Sequence, residues 1–183
     1  MDNLINNIKI STAVSDDADE IKMLVNSVYR GENSKKGWTT EAYFLDGIRI
    51  TPEKVKEIID KNNNVILTFT LNNKIIGCVH LEEKDDTCWL GMLSVDVNYQ
   101  TNGLGKFIIE KSEDYSVNIF ECNEMKMKVI GIRDELINYY LRRGYVLTGE
   151  TEDFNTSKDV FGKPNQTDLC FKILKKQLYT PHQ

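Results

Sequence analysis

The chain has 183 residues, 40% of them apolar and 28% charged, with a formal net charge of −5 at pH 7. These values exclude a disordered polymer and predict one soluble domain, large enough to bury roughly 70% of the surface its unfolded form exposes. The acidic balance argues against nucleic acid or an anionic membrane as partner, since both want a basic face, and it suits a cationic amine.

The four cysteines, Cys78, Cys88, Cys122 and Cys170, form no CxxC pair and fall in segments that read as strand or helix. Neither a metal site nor a disulfide framework is expected, and a reducing, cytoplasmic compartment is the default. The opening MDNLINNIKI lacks the apolar core of a secretory leader, and no run of about 18 apolar residues could span a bilayer.

In chain order, residues 8 to 12 alternate as a first strand. Ser15, Asp16 and Asp17 then offer capping side chains to a helix with Ile21, Leu24, Val25 and Val28 at helical spacing. Residues 30 to 49 differ in kind, with glycines at 31, 37 and 47 and aromatics at 38, 43 and 44. Two readings stand for them. Trp38 and Tyr43 wall a pocket in which Glu41 pairs with a cationic acceptor, or Thr39 or Thr40 caps a helix while Trp38 and Phe44 fill core.

Pro52 starts a helix through Val55, Ile58 and Ile59 that ends at Asn62 to Asn64. A hairpin follows, with strands at 65–70 and 75–81 around Asn72-Asn73, and Asp85-Asp86 turns the chain into a third antiparallel strand. If that turn has two residues, Glu82 faces Trp89 across the ladder. Later strands are expected at 126–132, 145–151 and 168–174, with a helix capped by Asp134 and ended by Gly144 in left-handed conformation, and a loop over 153–167.

Residues 87 to 111, TCWLGMLSVDVNYQTNGLGKFIIEK, organise the rest. An apolar strand gives way to Gln100-Thr101-Asn102-Gly103-Leu104-Gly105 and then to a helix. The first N–H groups of a helix lack carbonyl partners and share the positive end of its dipole, so such a turn cradles a phosphate. The spacing is neither GxGxxG nor GxxxxGK followed by Ser or Thr.

QxxGxG after a strand ending Leu93-Ser94-Val95 resembles the GCN5-related N-acetyltransferases (GNAT). Tyr140-Leu141-Arg142-Arg143-Gly144-Tyr145 resembles the last helix of that family. The resemblance spans about residues 7 to 176 and implies a mixed, mostly antiparallel seven-stranded sheet flanked by helices. It also implies acetyl-CoA as co-substrate, held by the turn from Gln100 to Gly105 and by the backbone of Leu93, Ser94 and Val95. Lys106 would add charge to the pyrophosphate contact. Direct acetyl transfer from the thioester to a primary amine of a small molecule or peptide follows, by a monomer or homodimer. The competing reading is a coenzyme-A-binding sensor or scaffold with little catalysis.

By the same resemblance Tyr140 protonates the leaving thiolate, with Tyr139 as fallback. The chain departs from the family twice. Trp89 stands where one branch has a catalytic glutamate, leaving Glu82 across the hairpin as the candidate base. Arg133 stands where an asparagine often bonds the pantetheine, and would reach the phosphates or amides of the coenzyme instead. His80, one strand from the central one, reads as a satisfied or exposed side chain, and His182 sits in the tail.

Overall fold

The computed structural model describes residues 2–154, 162–165 and 169–178. His182 and most of the expected loop after 154 lie outside them. Six helices occur among these residues: α1 (Asp2–Ile5), α2 (Ala18–Tyr29), α3 (Gly31–Ser34), α4 (Pro52–Asp60), α5 (Leu104–Asn118) and α6 (Asp134–Leu141). The strands are β1 (Lys9–Thr12), β2 (Leu45–Asp46), β3 (Asn64–Leu71), β4 (Lys74–Lys84), β5 (Thr87–Val95), β6 (Glu124–Ile130), β7 (Val146–Asp153), β8 (Lys163–Pro164) and β9 (Cys170–Gln177).

Seven strands form one sheet in the order β1-β3-β4-β5-β6-β9-β7, in which only β5 and β6 run parallel. The two hairpins come from local chemistry. Asn72 and Asn73 have φ of 49° and 61°, and Asp85 and Asp86 have 49° and 59°, the left-handed pairs that match the twist of two-residue turns. The second turn fixes a register in which Glu82 pairs with Trp89, as expected.

Both faces of the sheet are covered, which explains why β3 reads as a nearly continuous apolar run. Val65, Leu67 and Phe69 pack with Ile108 and Ile109 of α5 on one face. Ile66, from the alternate positions, packs with Ile21, Val25 and Val55 of α2 and α4 on the other. Burying each such side chain fully is worth about 1.5–3 kcal/mol, so register slips that invert the faces are strongly disfavoured.

Some expectations are corrected. Ser15–Asp17 form a 3-10 turn, and the Asp17 carboxylate accepts from Val14 N at 2.9 Å rather than capping α2. Arg133 occupies the N-cap position of α6, with Asp134 its first helical residue. No helix starts at Thr39 or Thr40: Thr40 Oγ1 accepts from Ala42 N at 3.2 Å and closes a turn instead. The expected loop over 153–167 contains β8, which pairs with β2 as a separate ribbon. β6 starts at Glu124, two residues earlier than expected, because its parallel pairing begins at Thr87↔Glu124.

Candidate active site

The parallel ladder between β5 and β6 runs only from Thr87↔Glu124 to Leu90↔Met127. Beyond it the strands part. At the same place β5 bulges against β4, since Cys78 pairs with Ser94 and His80 with Gly91, leaving Met92 and Leu93 opposite Val79 alone. Met92 has φ +53°, and Thr101, further along, has φ +70°. Backbone held in this region costs of order 1–3 kcal/mol per residue and clusters at functional sites.

Two cavities open at the parted strands. The first, of about 590 Å3, is lined by Val95, Gln100, Thr101, Gly103 and Gly105 on one side and by Asn138 and Tyr139 of α6 and Arg142 and Arg143 just after it on the other. The second, of about 420 Å3, lies among Tyr29, His80, Glu82, Trp89 and Tyr140. Leu93 lines both, so the cavities meet at the bulge.

The first cavity is bounded by the N-terminus of α5. Gly103 is its N-cap, at φ +78°, and Phe107 N donates to Gly103 O at 3.0 Å. The N–H groups of Leu104, Gly105 and Lys106, one turn earlier, have no intrahelical partner. Thr101, Gly103 and Gly105 line the cavity. Leu104 is buried in the core, and Asn102 and Lys106 are exposed. Lys106 lies 3.5 Å from Glu110.

A family model described as "Acetyltransferase (GNAT) family" matches residues 23–145, which include this turn, the bulge and α6. The chain belongs to the GNAT acetyltransferases. It is 27% identical over 77 residues to a spermine/spermidine N(1)-acetyltransferase of Bacillus subtilis (strain 168), a stretch covering 42% of this chain and 50% of that one. The chain thus matches about half the length of that curated relative. Among solved structures, an N-acetyltransferase from Staphylococcus aureus Mu50 superposes with a TM-score of 0.70 at 16% identity, covering 93% of this chain and 97% of that one. A GNAT-family acetyltransferase from Streptococcus pneumoniae gives 0.65 at 17%, covering 94% and 99%. At these identities the structural likeness is one of fold.

Within this GNAT site the strand residues divide by alternation. Leu93 and Val95 face the cavities, whereas Ser94 is buried on the opposite face, its hydroxyl donating to Met92 O at 3.1 Å. Gln100 lines the first cavity, but its amide bonds protein: Nε2 donates to Val95 O at 3.0 Å and Thr39 Oγ1 at 3.3 Å, and Oε1 accepts from Trp38 N at 3.2 Å. The missing Cβ of Gly105 makes room for a phenol rather than an anion alone, since a methyl there would sit 2.8 Å from Tyr139 Oη.

Arg133 is redirected. Its guanidinium is buried and donates to the carbonyls of Thr39 at 2.9 Å and Trp38 at 3.0 Å, clamping the 38–39 segment beside the cleft instead of reaching into the first cavity. Replacing Arg133 by Gln is expected to loosen that wall and raise the KM for acetyl-CoA or acceptor about tenfold, with kcat changed less. Steady-state kinetics with each substrate varied checks it, and equal KM values would show the clamp to be dispensable.

The substrate-side expectations part company. Trp38 packs against Tyr139 with the rings tilted at 52° and centroids 4.8 Å apart, and it lines the first cavity. Tyr43 is 62% exposed, lies under Lys35 and lines neither cavity. Glu41 does line the second cavity, yet its carboxylate is bonded to the Arg30 guanidinium in a buried pair, so its charge is already matched. Glu82 is there too, 2.5 Å from Lys61 Nζ, and the lysine holds its carboxyl below the usual carboxylate range.

Tyr139 and Tyr140 diverge, the former lining the first cavity and the latter the second. Tyr140 is 5% exposed, and burial keeps its phenol protonated far above the ordinary tyrosine value. Sequence reasoning missed Tyr29, whose hydroxyl donates to Leu93 O at the bulge. Burial raises that phenol to about 12. Sequence reasoning also left out Glu135 and Asn138 of α6 and Arg142 at its C-cap, whose three- and four-residue spacing marks one helix face. Burial pushes the Cys78 and Cys88 thiols up to about 12, so neither is a ready nucleophile.

No group of three or more His, Cys, Asp or Glu side chains placed to hold a metal ion occurs among the described residues. No helix among them is long and apolar enough to cross a membrane.

Proposed function

We propose that the protein transfers an acetyl group from acetyl-CoA directly to a primary amine, in the cytoplasm, as a monomer or homodimer. The observation that carries this reading is the meeting of two cavities at Leu93, where β5 leaves β6. In the first, the open amides of α5 would hold the pyrophosphate, with Arg142 and Arg143 on the facing wall adding positive charge. The backbone of Leu93 and Val95, freed from β6, would bond the pantetheine arm and carry the thioester to the bulge. The second cavity would admit the acceptor, with Tyr140 protonating the departing sulfur. The protonated thiols support direct attack over an acyl-enzyme.

The acceptor pocket sets a preference. Its lining has three carboxylates, Glu41, Glu82 and Glu152, against four cations, Arg49, Lys84, Lys128 and Arg133, so it holds no acidic excess. Glu152 pairs with Lys128 at 2.5 Å. Tyr29, Trp89 and Phe154 supply broad apolar walls. Such a pocket favours one amine on an apolar body over a chain of several ammonium groups.

A thiol-release screen with acetyl-CoA tests both statements, using polyamines, amino acids, aminoglycosides, lysine peptides and arylalkylamines. Thiol release with an arylalkylamine faster than with spermine is the expected result. Faster release with spermine would transfer the preference of the B. subtilis relative to this chain. Coenzyme binding without release in any arm would leave a coenzyme-A-binding module, and absence of binding would remove the coenzyme from the reading.

A further inference from the structure

His80 projects from β4 opposite Gly91 of β5 and lines the second cavity with Tyr140. Its Nε2 lies 2.7 Å from Asn64 Oδ1, and the Asn64 Nδ2 group donates to Asn62 O at 2.9 Å. The second bond establishes which end of the amide is oxygen, and an amide oxygen only accepts. Nε2 therefore carries the ring proton, and the imidazole lone pair is on Nδ1.

Nδ1 lies toward Gly91, which lines the same cavity. A methyl group built on Gly91 would lie 4.0 Å from Nδ1 and within 4 Å of no other non-neighbouring atom among the described residues. Gly91 leaves open the space that any other side chain would fill. Glu82 is the weaker candidate for proton acceptance, because Lys61 already engages its carboxylate.

We propose that His80, through Nδ1, is the catalytic residue that takes the proton of the attacking amine. The inference rests on the acetyl-transfer reading above. As the amine lone pair forms the C–N bond, the carbonyl π pair moves to oxygen and the nitrogen becomes cationic. Its N–H proton passes to Nδ1. The oxygen pair returns, the C–S bond breaks, and the thiolate takes the phenolic proton of Tyr140. Amide and free thiol leave, and His80 returns its proton to Tyr140 through solvent in the cavity.

The protonation state suits the role. Burial pushes the imidazole down to about 4. Glu82 on its own strand opposes the fall, and Lys61 at the end of α4 and Arg49 before that helix add to it. The ring is neutral at physiological pH and ready to accept. So weak a base matches a nitrogen that becomes acidic only once it is bonded to the carbonyl carbon.

Two variants test the assignment. His80→Ala is expected to lower kcat about 10²-fold, to leave acetyl-CoA affinity by calorimetry within about twofold, and to recover part of its rate with added imidazole. Asn64→Asp places a carboxylate on Nε2–H, stabilises the imidazolium and moves the acid limb of kcat to higher pH. A purely structural histidine would give neither rescue nor a shifted limb. Wild-type kcat in His80→Ala overturns the proposal and leaves acetyl transfer standing, as does a slow variant that imidazole does not help. If His80→Ala does not fold, an unmoved limb in Asn64→Asp overturns it. Absence of thiol release from the wild-type chain with every amine overturns the acetyl-transfer reading, and this inference falls with it.

Discussion

Replacing Tyr140 by Phe is expected to lower kcat about 10²- to 10³-fold while acetyl-CoA affinity stays within about twofold. The ring is held by its neighbours: its centroid lies 5.5 Å from that of Tyr139 and 5.9 Å from that of Tyr145, both edge to face. Phenylalanine keeps those contacts, so stability changes little. What is lost is one hydroxyl in the second cavity, and among the described residues that hydroxyl has no hydrogen-bond partner. It is available to a ligand.

The pH dependence has a definite sign. A free thiol ionises near 8.5, so below that pH the departing thiolate needs a proton, and above it the thiolate leaves unaided. The deficit of Tyr140→Phe should therefore be largest near neutrality and narrow above about pH 9. Thiol-release rates from pH 6.5 to 9.5, set beside calorimetric affinities, measure both quantities. Equal rates in variant and wild type at neutral pH would take Tyr140 out of the chemistry.

The second large effect is on binding. Gly103→Val should weaken acetyl-CoA affinity roughly 10- to 100-fold, because the backbone at 103 has φ +78° and a β-branched residue there is a steric outlier. A penalty of about 1–3 kcal/mol is relieved by rotating the peptide, which turns the N–H groups at the start of α5 away from their common direction. The helix itself survives, since Leu104, Ile108 and Ile109 remain seated in the core. Lys106→Ala is the control: that ammonium is 63% exposed and faces Glu110, so affinity should stay near wild type. Undiminished affinity in Gly103→Val would mean that the backbone amides are not the anchor.

Much of the framework was legible because its causes are local. Two-residue turns of Asn-Asn and Asp-Asp demand left-handed backbone whatever surrounds them, and that alone put Glu82 opposite Trp89. Helices α2, α4, α5 and α6 announce themselves by periodic apolar residues, and Gly103 and Gly144, at φ +78° and +85°, take the conformations their positions require. The 38–46 segment was not legible in the same way. Its Thr39, Thr40 and Glu41 spell a helix start, but Gln100 and Arg133, distant in the chain, and Arg30, 11 residues before Glu41, bond its backbone or side chains and hold it open.

By itself the sequence determined the strand order through the central hairpins, the left-handed turn ahead of α5 and the aromatic pair on α6, since each depends on residues within a few positions. Only the tertiary structure decided which charges stay available, which tyrosine enters which cavity and which nitrogen of His80 bears a lone pair. Those outcomes depend on partners 11 to 21 residues away in the chain: Arg30 with Glu41, Lys61 with Glu82, Asn64 with His80. A side chain's chemistry is set by what the fold places beside it, and that neighbour is written elsewhere in the chain.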